Sequence, residues 1–472
     1  MNPNLRRTKI VATIGPASET PEVLRALLTA GMDVARLNLS HGTHEDHAQT
    51  IAHLRAIAEE LASPVTILLD LQGPKVRVGQ LLGGEMTLIR GETISLVPEG
   101  EFSGDPATVP IDYPHAAEEA KPGMQVLLAD GLFELQVVEI VGRALHCRVV
   151  EGGVLKSRKG VNFPELNLRL PSMTEKDHRD LEFGIAQNVD WISLSFVRSG
   201  ADVRELKNQL AAKGARQPVI AKFEKPQAIE HLDEILAEVD GVMVARGDLG
   251  VELSPERVPM LQKLIIEQCN RRGIPVITAT QMLESMIHDP RPTRAEASDV
   301  ANAIIDGTDA VMLSGESAVG AFPVRAVEMM ARIAREVESR IAFTSYPPTD
   351  QSAAHALSAA ASSIAKIIHP RCIAVLTTSG HTARAVASTR TKIPIAALTT
   401  DPAVYHTLNL VWGIHPFLIA TTPGTFEGLI EQAESTLREQ QLASTGDQIL
   451  VLGCVPPGQP HGGNFVKIHT VS

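Results

Sequence analysis

A lysine and two acidic residues in one stretch of the chain, residues 219–253, could together hold a divalent cation. Lys222 and Glu224 are two residues apart in an apolar run typical of a buried strand, so their side chains point to the same side. Asp248 follows the next predicted strand in a glycine-flanked turn. If these strands are parallel neighbours, the three groups meet at their C-terminal ends, where α/β enzymes place active sites. Two carboxylates are suitable ligands for Mg²⁺, and the lysine adds a fixed cation beside it.

An ordinary surface salt bridge is the alternative interpretation of these residues. We favour the metal site, because burying a lysine and a glutamate in an apolar strand costs free energy, and such residues are usually found where they serve a function. Further polar residues occur at the ends of other predicted strands: Arg36, Asn38, Ser40, Asp70, Lys75, Arg77, Thr280, Ser314 and Glu316. Arginines and lysines that converge around a carboxylate-bound Mg²⁺ are typical of phosphoryl transfer, in which dispersed negative charge must be neutralised. Neither a Walker-type nor a glycine-rich kinase loop occurs in the sequence, so a nucleotide must bind in another way.

The elements that must position these residues alternate between strands and helices. Strand-like segments, most of them followed by a helix-like segment, are predicted at 8–14, 34–40, 65–71, 191–196, 219–224, 241–245, 275–280 and 310–314. Eight such units favour a closed (β/α)₈ barrel over an open sheet. After the third strand the pattern changes to short β-like pieces with glycine and proline between them, which predicts a small inserted β-domain.

Three domains follow from this pattern. We expect an α/β barrel domain formed by residues 1–72 and 171–343, with an inserted β-domain at 73–170. The segment Pro347-Pro348-Thr349-Asp350 reads as a linker, after which strands and helices alternate again. That alternation predicts a separate α/β domain at 344–472.

Composition narrows the classes of partner. The net charge of −12 disfavours nucleic acid and anionic membranes as partners. The cysteines are far apart and have no metal-ligand spacing, which favours reduced structural thiols: Cys147, Cys269, Cys372 and Cys454. No apolar run approaches the ~20 residues that span a bilayer, and no apolar signal core follows the first residues. We therefore expect a soluble cytoplasmic protein.

Nine motifs, in chain order up to about Ala318, resemble those of the pyruvate kinases: RRTKIVATIGP, ARLNLSHG, LLDLQGPKVR, KGVNFP, LPSMTEKD, IAKFEKPQAI, VARGDLG, TATQMLESM and PTRAEASDVANAIIDGTDAVMLSGESA. The remaining domain has the size and α/β character of that family. The resemblance implies a TIM barrel with an inserted small β-barrel lid and a C-terminal α/β regulatory domain. It also implies transfer of the phosphoryl group of phosphoenolpyruvate to ADP, giving pyruvate and ATP in the last step of glycolysis, by a cytoplasmic homotetramer.

The resemblance implies roles for individual residues on the substrate side. Glu224 and Asp248 would bind Mg²⁺, for which Mn²⁺ is a substitute. Lys222 would neutralise charge at the phosphoryl group and the enolate, and Arg36 would bind the phosphate. The substrate carboxylate would be held by Asp248 together with the residues Gly247 and Thr280. A helix N-terminus after Asp248 would add N–H groups and a positive dipole end.

Four residues match the nucleotide side of the family: Asn38, His41, Arg77 and Lys159. Lys159 belongs to the inserted domain, which would close over the cleft and exclude water from the transfer. Two of the site positions have ordinary structural alternatives. Thr280 could simply end a strand, and Ser40 with His41 could form the N-cap of the next helix.

One departure from part of the family concerns K⁺. Many pyruvate kinases bind K⁺ through Asn, Ser, Asp and Thr oxygens, with a Glu nearby. Here Asn38, Ser40 and Asp70 are retained, but Leu71 stands in place of the Thr and Lys75 in place of the Glu. A tethered ammonium group can supply the positive charge that K⁺ otherwise supplies. The hypothesis is that the protein works without K⁺.

A second anion site is predicted in the C-terminal domain, between a strand and a helix N-terminus: Thr377, Thr378, Ser379, Gly380, His381 and Thr382. Hydroxyls, a glycine and free N–H groups there suit a phosphate-sized anion. The segment resembles the family's effector loop and would face the turn 456–463, which implies activation by a sugar phosphate or a nucleoside monophosphate. An ordinary strand-to-helix turn is the alternative.

Two other functions are compatible with a barrel of this kind. One is another Mg²⁺-dependent barrel enzyme acting on phosphoenolpyruvate or pyruvate, a mutase or an aldolase-like lyase, which would not require the inserted domain or Lys159. The other is a non-catalytic metabolite sensor. Five retained residues together argue against an inactive barrel: Arg36, Lys222, Glu224, Asp248 and Thr280.

Overall fold

Eight parallel strands form a closed barrel in the computed structural model, which describes residues 6–164, 166, 168–346, 352–456 and 463–472. The strands are Lys9–Ile14, Val34–Asn38, Thr66–Asp70, Trp191–Leu194, Val219–Phe223, Gly241–Ala245, Val276–Ala279 and Ala310–Leu313. Each pairs with the next along the chain, and the first closes on the eighth through the pairing of Lys9 with Ala310. The predicted (β/α)₈ barrel is therefore confirmed.

Helices surround the barrel: Pro21–Ala30, His44–Glu60, Glu175–Ala186, Gly200–Ala212, Pro226–Glu230, Leu232–Glu238, Val258–Arg272, Arg294–Asp306 and Pro323–Arg340. Shorter helical turns are Arg246–Glu252, Pro255–Arg257, Glu284–Ile287 and Gly315–Ala318. Thr43, whose hydroxyl accepts a hydrogen bond from the Asp46 N–H, is the N-cap of the second helix. The alternative in which Ser40 and His41 cap that helix is thus wrong, because Gly42 and Thr43 still precede the first helical residue, His44.

Apolar side chains fill the interior of the barrel. Val11, Leu68, Trp191 and Met243 belong to one buried cluster inside it, and Leu410 of the C-terminal domain joins the same cluster. A second, larger cluster lies between the strands and the surrounding helices. The interior is a packed core and not a pore, so polar side chains at the C-terminal strand ends are held by rigid neighbours.

The insertion after the third strand is a β-domain with its own buried core. Its main sheet has six strands in the order Val161–Asn162, Gln125–Leu128, Phe133–Val141, Ala144–Glu151, Thr93–Pro98 and Thr108–Ile111. Arg77 bridges to Gly160 and Val78 to Ile111, so the chain at 77–78 links the two edges of this sheet. A ribbon and short helices complete the domain: Glu85–Leu88 with Gly153–Lys156, Leu82–Gly84, Glu99–Glu101 and Ala116–Glu119.

The C-terminal domain is a five-stranded sheet with strand order Ile414–Leu418, Ile395–Thr399, Ile373–Leu376, Gln448–Gly453 and Phe465–Thr470. The first four strands are parallel and the last is antiparallel. Within the described part of this domain, four helices cover the sheet: Ala353–Ile368, His381–Ser388, Pro402–Leu408 and Phe426–Glu439. A buried ion pair, Arg390 Nη2 to Asp309 Oδ2 at 3.0 Å, joins this domain to the barrel. The predicted linker at 347–350 lies outside the described residues.

Two findings bear on the predictions from composition. All four cysteines are free thiols, and three of them are buried. Across the described ranges, no helix combines the length and the apolar character needed to cross a bilayer.

Candidate active site

Asp70, at the end of the third barrel strand, lies between two cations at the barrel mouth. Its Oδ2 accepts hydrogen bonds from Arg36 Nε at 2.8 Å and Nη2 at 2.5 Å, and its Oδ1 lies 3.4 Å from Lys222 Nζ. The Ser193 hydroxyl donates to Oδ1 at 2.6 Å. Burial alone raises the pKa of Asp70, but the charges of Lys222 and Arg36 outweigh it, and the pKa lies below its usual value. Asp70 is therefore ionised at neutral pH, and its carboxylate orients both cations.

Lys222 joins this group to Glu224. Its ammonium lies 2.9 Å from Glu224 Oε1 and donates to the Ser195 hydroxyl at 2.8 Å. Burial lowers the pKa of Lys222, but the charges of Asp70 and Glu224 outweigh it and raise the net pKa. Lys222 is thus a fixed cation rather than a base at neutral pH.

Asp248 lies in the short helix Arg246–Glu252, which directly follows the sixth barrel strand. The expected glycine-flanked turn, with a helix N-terminus after Asp248, is wrong, because the helix begins at Arg246. The physical reason is a tertiary partner: the Thr280 hydroxyl accepts the Gly247 N–H at 2.7 Å and satisfies one donor of the first turn. The Asp248 carboxylate is left at the mouth, with Oδ1 3.5 Å from Lys75 Nζ.

Thr280 has φ 70°, a left-handed conformation that β-branched residues rarely adopt. Besides accepting from Gly247, its hydroxyl donates to the Ala279 carbonyl at 2.6 Å. Arg246 donates to the Thr280 carbonyl and to Asp299 Oδ1, both at 2.7 Å. The strand ends at Ala279, so Thr280 is held by this network in a strained loop, as strained residues at functional sites often are.

The donor set fits Mg²⁺. The pKa of Glu224 is raised by burial and by the charge of Asp248, against the effect of Lys222. A divalent cation between the two carboxylates would offset both the burial of the Glu224 charge and its repulsion by Asp248. Carboxylate oxygens are also the ligands that Mg²⁺ prefers. In the described part of the chain, no three or more His, Cys, Asp or Glu side chains form a cluster that could hold a metal ion. Two carboxylates would leave positions for water and for substrate oxygens, as is usual for Mg²⁺.

The four residues predicted for the nucleotide fall into two groups. Asn38 is opposite Asp70 in the barrel, its side-chain oxygen accepting the Ser40 N–H at 3.1 Å, and His41 follows on the exposed surface. Arg77 and the exposed Lys159 lie together in the inserted domain. The Arg77 guanidinium donates to the Arg158 carbonyl at 3.2 Å, so it belongs to the inserted domain and not to the group around Asp70, where the sequence pattern had placed it.

Lys75, one of the residues considered for K⁺, already has two partners. Lys75 Nζ donates to Asp130 Oδ1 of the inserted domain at 3.0 Å and lies 3.5 Å from Asp248 Oδ1. Burial lowers the pKa of Lys75, but Asp248 and Asp130 outweigh it, so the net pKa is raised. Leu71 is fully buried. A fixed positive charge therefore lies beside the proposed metal ligand Asp248.

The predicted effector loop forms a tight turn before the helix His381–Ser388. Gly380 has φ 77°, and its N–H donates to the Thr377 hydroxyl at 2.9 Å. Thr382 is buried, and its hydroxyl accepts the Gly463 N–H at 3.2 Å. Thr378 and Ser379 are exposed, so they are the hydroxyls in this loop most open to a ligand. Most of the turn 456–463 lies outside the described residues.

Several residues of the site were not found from the sequence. Ser193 and Ser195 hold Asp70 and Lys222, and Thr13 accepts a hydrogen bond from Arg36 Nη1 at 2.8 Å. Arg246 fixes the loop at Thr280. Ser193 lies in the fourth barrel strand and Ser195 just after it, and their alternation with apolar residues was a usable signal.

The fold and the site together define an enzyme of the phosphotransferase class, built on a (β/α)₈ barrel whose mouth combines fixed cations with the carboxylates of Glu224 and Asp248. The model of the pyruvate kinase barrel domain matches residues 5–327, and that of the pyruvate kinase alpha/beta domain matches residues 355–469. The chain belongs to the pyruvate kinase family.

Individual relatives match over nearly all of this chain. Pyruvate kinase 2 of Synechocystis sp. is 48% identical over 475 residues, covering 100% of this chain and 80% of the relative. Pyruvate kinase of Agrobacterium vitis is 43% identical, covering 98% of this chain and 97% of the relative. The crystal structure of a pyruvate kinase from Cryptosporidium parvum superposes with a TM-score of 0.93 at 36% identity, covering 100% and 97% of the two chains. Family membership favours neither a mutase nor an aldolase-like lyase.

Replacing Lys222 by Met tests the role of the central cation. We expect kcat to fall at least ~10²-fold, the scale of removing one preorganised charge from a transition state. Steady-state kinetics measure the loss, and a melting curve checks the fold, since the change also leaves Asp70 and Glu224 with one partner fewer. Lys207→Met, on an outer helix, is the matched control. A folded Lys222→Met variant with kcat near that of the wild type would contradict the assignment.

Proposed function

We propose that this chain transfers the phosphoryl group of phosphoenolpyruvate to ADP, giving pyruvate and ATP. The observation that carries the proposal is the convergence of Arg36, Lys222, Glu224 and Asp248 at one barrel mouth, in a chain of the pyruvate kinase family. The nucleotide would lie between the barrel residue Asn38 and the inserted domain.

The transfer needs positive charge around the moving group more than it needs covalent chemistry. Arg36 and Lys222 are oriented by Asp70 and are the cations that would contact the phosphoryl oxygens. Mg²⁺, held by Glu224 and Asp248, would supply a Lewis acid that neutralises charge on the substrate. Because Lys222 stays protonated, it would stabilise the enolate by charge and not take up a proton.

The loop at Thr280 would hold the carboxylate of the substrate. Its hydroxyl accepts the Gly247 N–H and donates to the Ala279 carbonyl, so both groups are fixed in position before the substrate binds, and the carboxylate would take over one of these donors. The inserted domain would exclude water and prevent hydrolysis of the donor. The homotetramer and the cytoplasmic location stay predictions of the family resemblance.

Pyruvate formation, followed by coupled oxidation of NADH, tests the reaction. We expect formation from phosphoenolpyruvate to require both ADP and Mg²⁺, to stop on chelation and to resume with Mn²⁺. Absence of pyruvate would contradict the proposal. Pyruvate formed equally well without ADP would contradict it too, because the phosphoryl group would then have another acceptor.

We also propose that Lys75 replaces K⁺. The support is its ammonium beside Asp248 and the buried Leu71 in place of an oxygen ligand. In tetramethylammonium buffer, KCl should leave the rate of the wild type unchanged. Lys75→Met should respond to KCl through Asn38, Ser40 and Asp70, whereas Lys75→Arg, which keeps the charge, should not. A many-fold rise of the wild-type rate on addition of KCl is the outcome that rejects this proposal.

Activation by a phosphorylated metabolite at the loop 377–382 is proposed on the exposed hydroxyls and the helix N-terminus there. Ser379→Glu adds a negative charge at an exposed position and should abolish activation by glucose 6-phosphate or AMP. The ratio of activated to basal rate measures this. Ser363→Glu, also exposed but on another helix, is the control. Full activation of Ser379→Glu would show that the loop is not the site.

A further inference from the structure

One lysine connects the inserted domain to the metal-binding end of the barrel. Lys75 Nζ donates to Asp130 Oδ1 at 3.0 Å, which is hydrogen-bond distance. The same nitrogen lies 3.5 Å from Asp248 Oδ1, close enough for an ion pair but longer than an ordinary N–H···O bond. Two carboxylates from different domains therefore share one ammonium group, and Asp130 has the shorter contact.

The loop that carries Asp130 is held in an uncommon conformation. Ala129, Asp130 and Gly131 have φ 53°, 58° and 85°, three consecutive residues in the left-handed region. Such a run costs conformational energy and persists only where surrounding contacts fix it. Those contacts include the Ala129 N–H to Gly160 carbonyl bond at 2.9 Å.

The same loop approaches the barrel helix that contains Asp248. A Cβ at Gly131 would lie 3.6 Å from the nearest methyl carbon of Val251 on that helix. At Gly160, a Cβ would lie 2.8 Å from Lys75 Cε and 3.2 Å from Asp130 Oδ1. The glycine at 160 thus leaves the room that the Lys75–Asp130 pair occupies. The absence of side chains at Gly131 and Gly160 therefore allows the loop that carries Asp130 to approach Lys75 and the helix of Asp248.

We propose that Asp130 is a positioning residue, which takes the hydrogen bond of Lys75 and so keeps the Asp248 carboxylate available to the metal ion. Lys75 then supplies its charge near the site without blocking a metal ligand. Without Asp130, Lys75 is free to donate to Asp248 directly, so Asp130 controls the metal affinity. This rests on the proposed function in one respect, the assignment of Asp248 as a metal ligand.

Mn²⁺ binding, followed by electron paramagnetic resonance without substrates, tests the inference apart from turnover. We expect Asp130→Asn to weaken Mn²⁺ binding about three- to fivefold, the scale of one exposed charge pair. In a Lys75→Met background the same substitution should have no effect, because no ammonium remains to compete for Asp248. Asp130→Glu should retain most of the wild-type affinity.

A control separates positioning from simple removal of a charge. Glu139→Gln removes a negative charge from an exposed position elsewhere in the inserted domain and should leave Mn²⁺ binding unchanged. Equal Mn²⁺ binding by wild type and Asp130→Asn overturns the inference. Equal weakening with and without Lys75 overturns it as well, since Asp130 would then act directly on the ion. Neither result bears on pyruvate formation by the wild type, which tests the proposed function separately.

Discussion

The burial of Asp70 is the constraint on which the barrel mouth depends. Its side chain is 1% exposed, and a carboxylate so far from water is tolerable only if it is paired and hydrogen-bonded. Arg36 and Lys222 provide the pairing and Ser193 adds a hydrogen bond, each from a different barrel strand. Removing one partner of such a buried group costs roughly 3–5 kcal/mol. The interactions that fix the positions of Arg36 and Lys222 are therefore the same ones that stabilise the folded barrel mouth.

Signs of charge alternate along this group, from Arg36 through Asp70 and Lys222 to Glu224. The four formal charges cancel, which is why they can be buried together. A divalent cation at Glu224 and Asp248 would make the net charge of the mouth more positive. The mouth would then attract the anionic substrate most strongly when the metal is bound, although the protein as a whole carries a net charge of −12.

Periodicity predicted the barrel well, because strands buried on both faces and helices with threonine caps leave clear local signals. Once the strands were predicted, the positions of Arg36, Asp70, Lys222 and Glu224 at their C-terminal ends indicated that these residues lie together. The short helix at Asp248 could not be predicted in this way. Its segment contains two glycines, and its first turn is completed by Thr280, more than thirty positions away in the chain.

The helix Arg246–Glu252 explains how three parts of the site are coupled. Its first turn binds the loop at Thr280, and its Asp248 contacts Lys75. Its last residue, Glu252, is buried and accepts a hydrogen bond from Asn162 of the inserted domain at 2.7 Å, while also pairing with Lys225. Asp248, the contact with the loop at Thr280 and the contact with the inserted domain thus belong to one seven-residue helix. Because packed elements shift as units, a displacement of the inserted domain that is felt at Glu252 would also reach Asp248, less than two helical turns away.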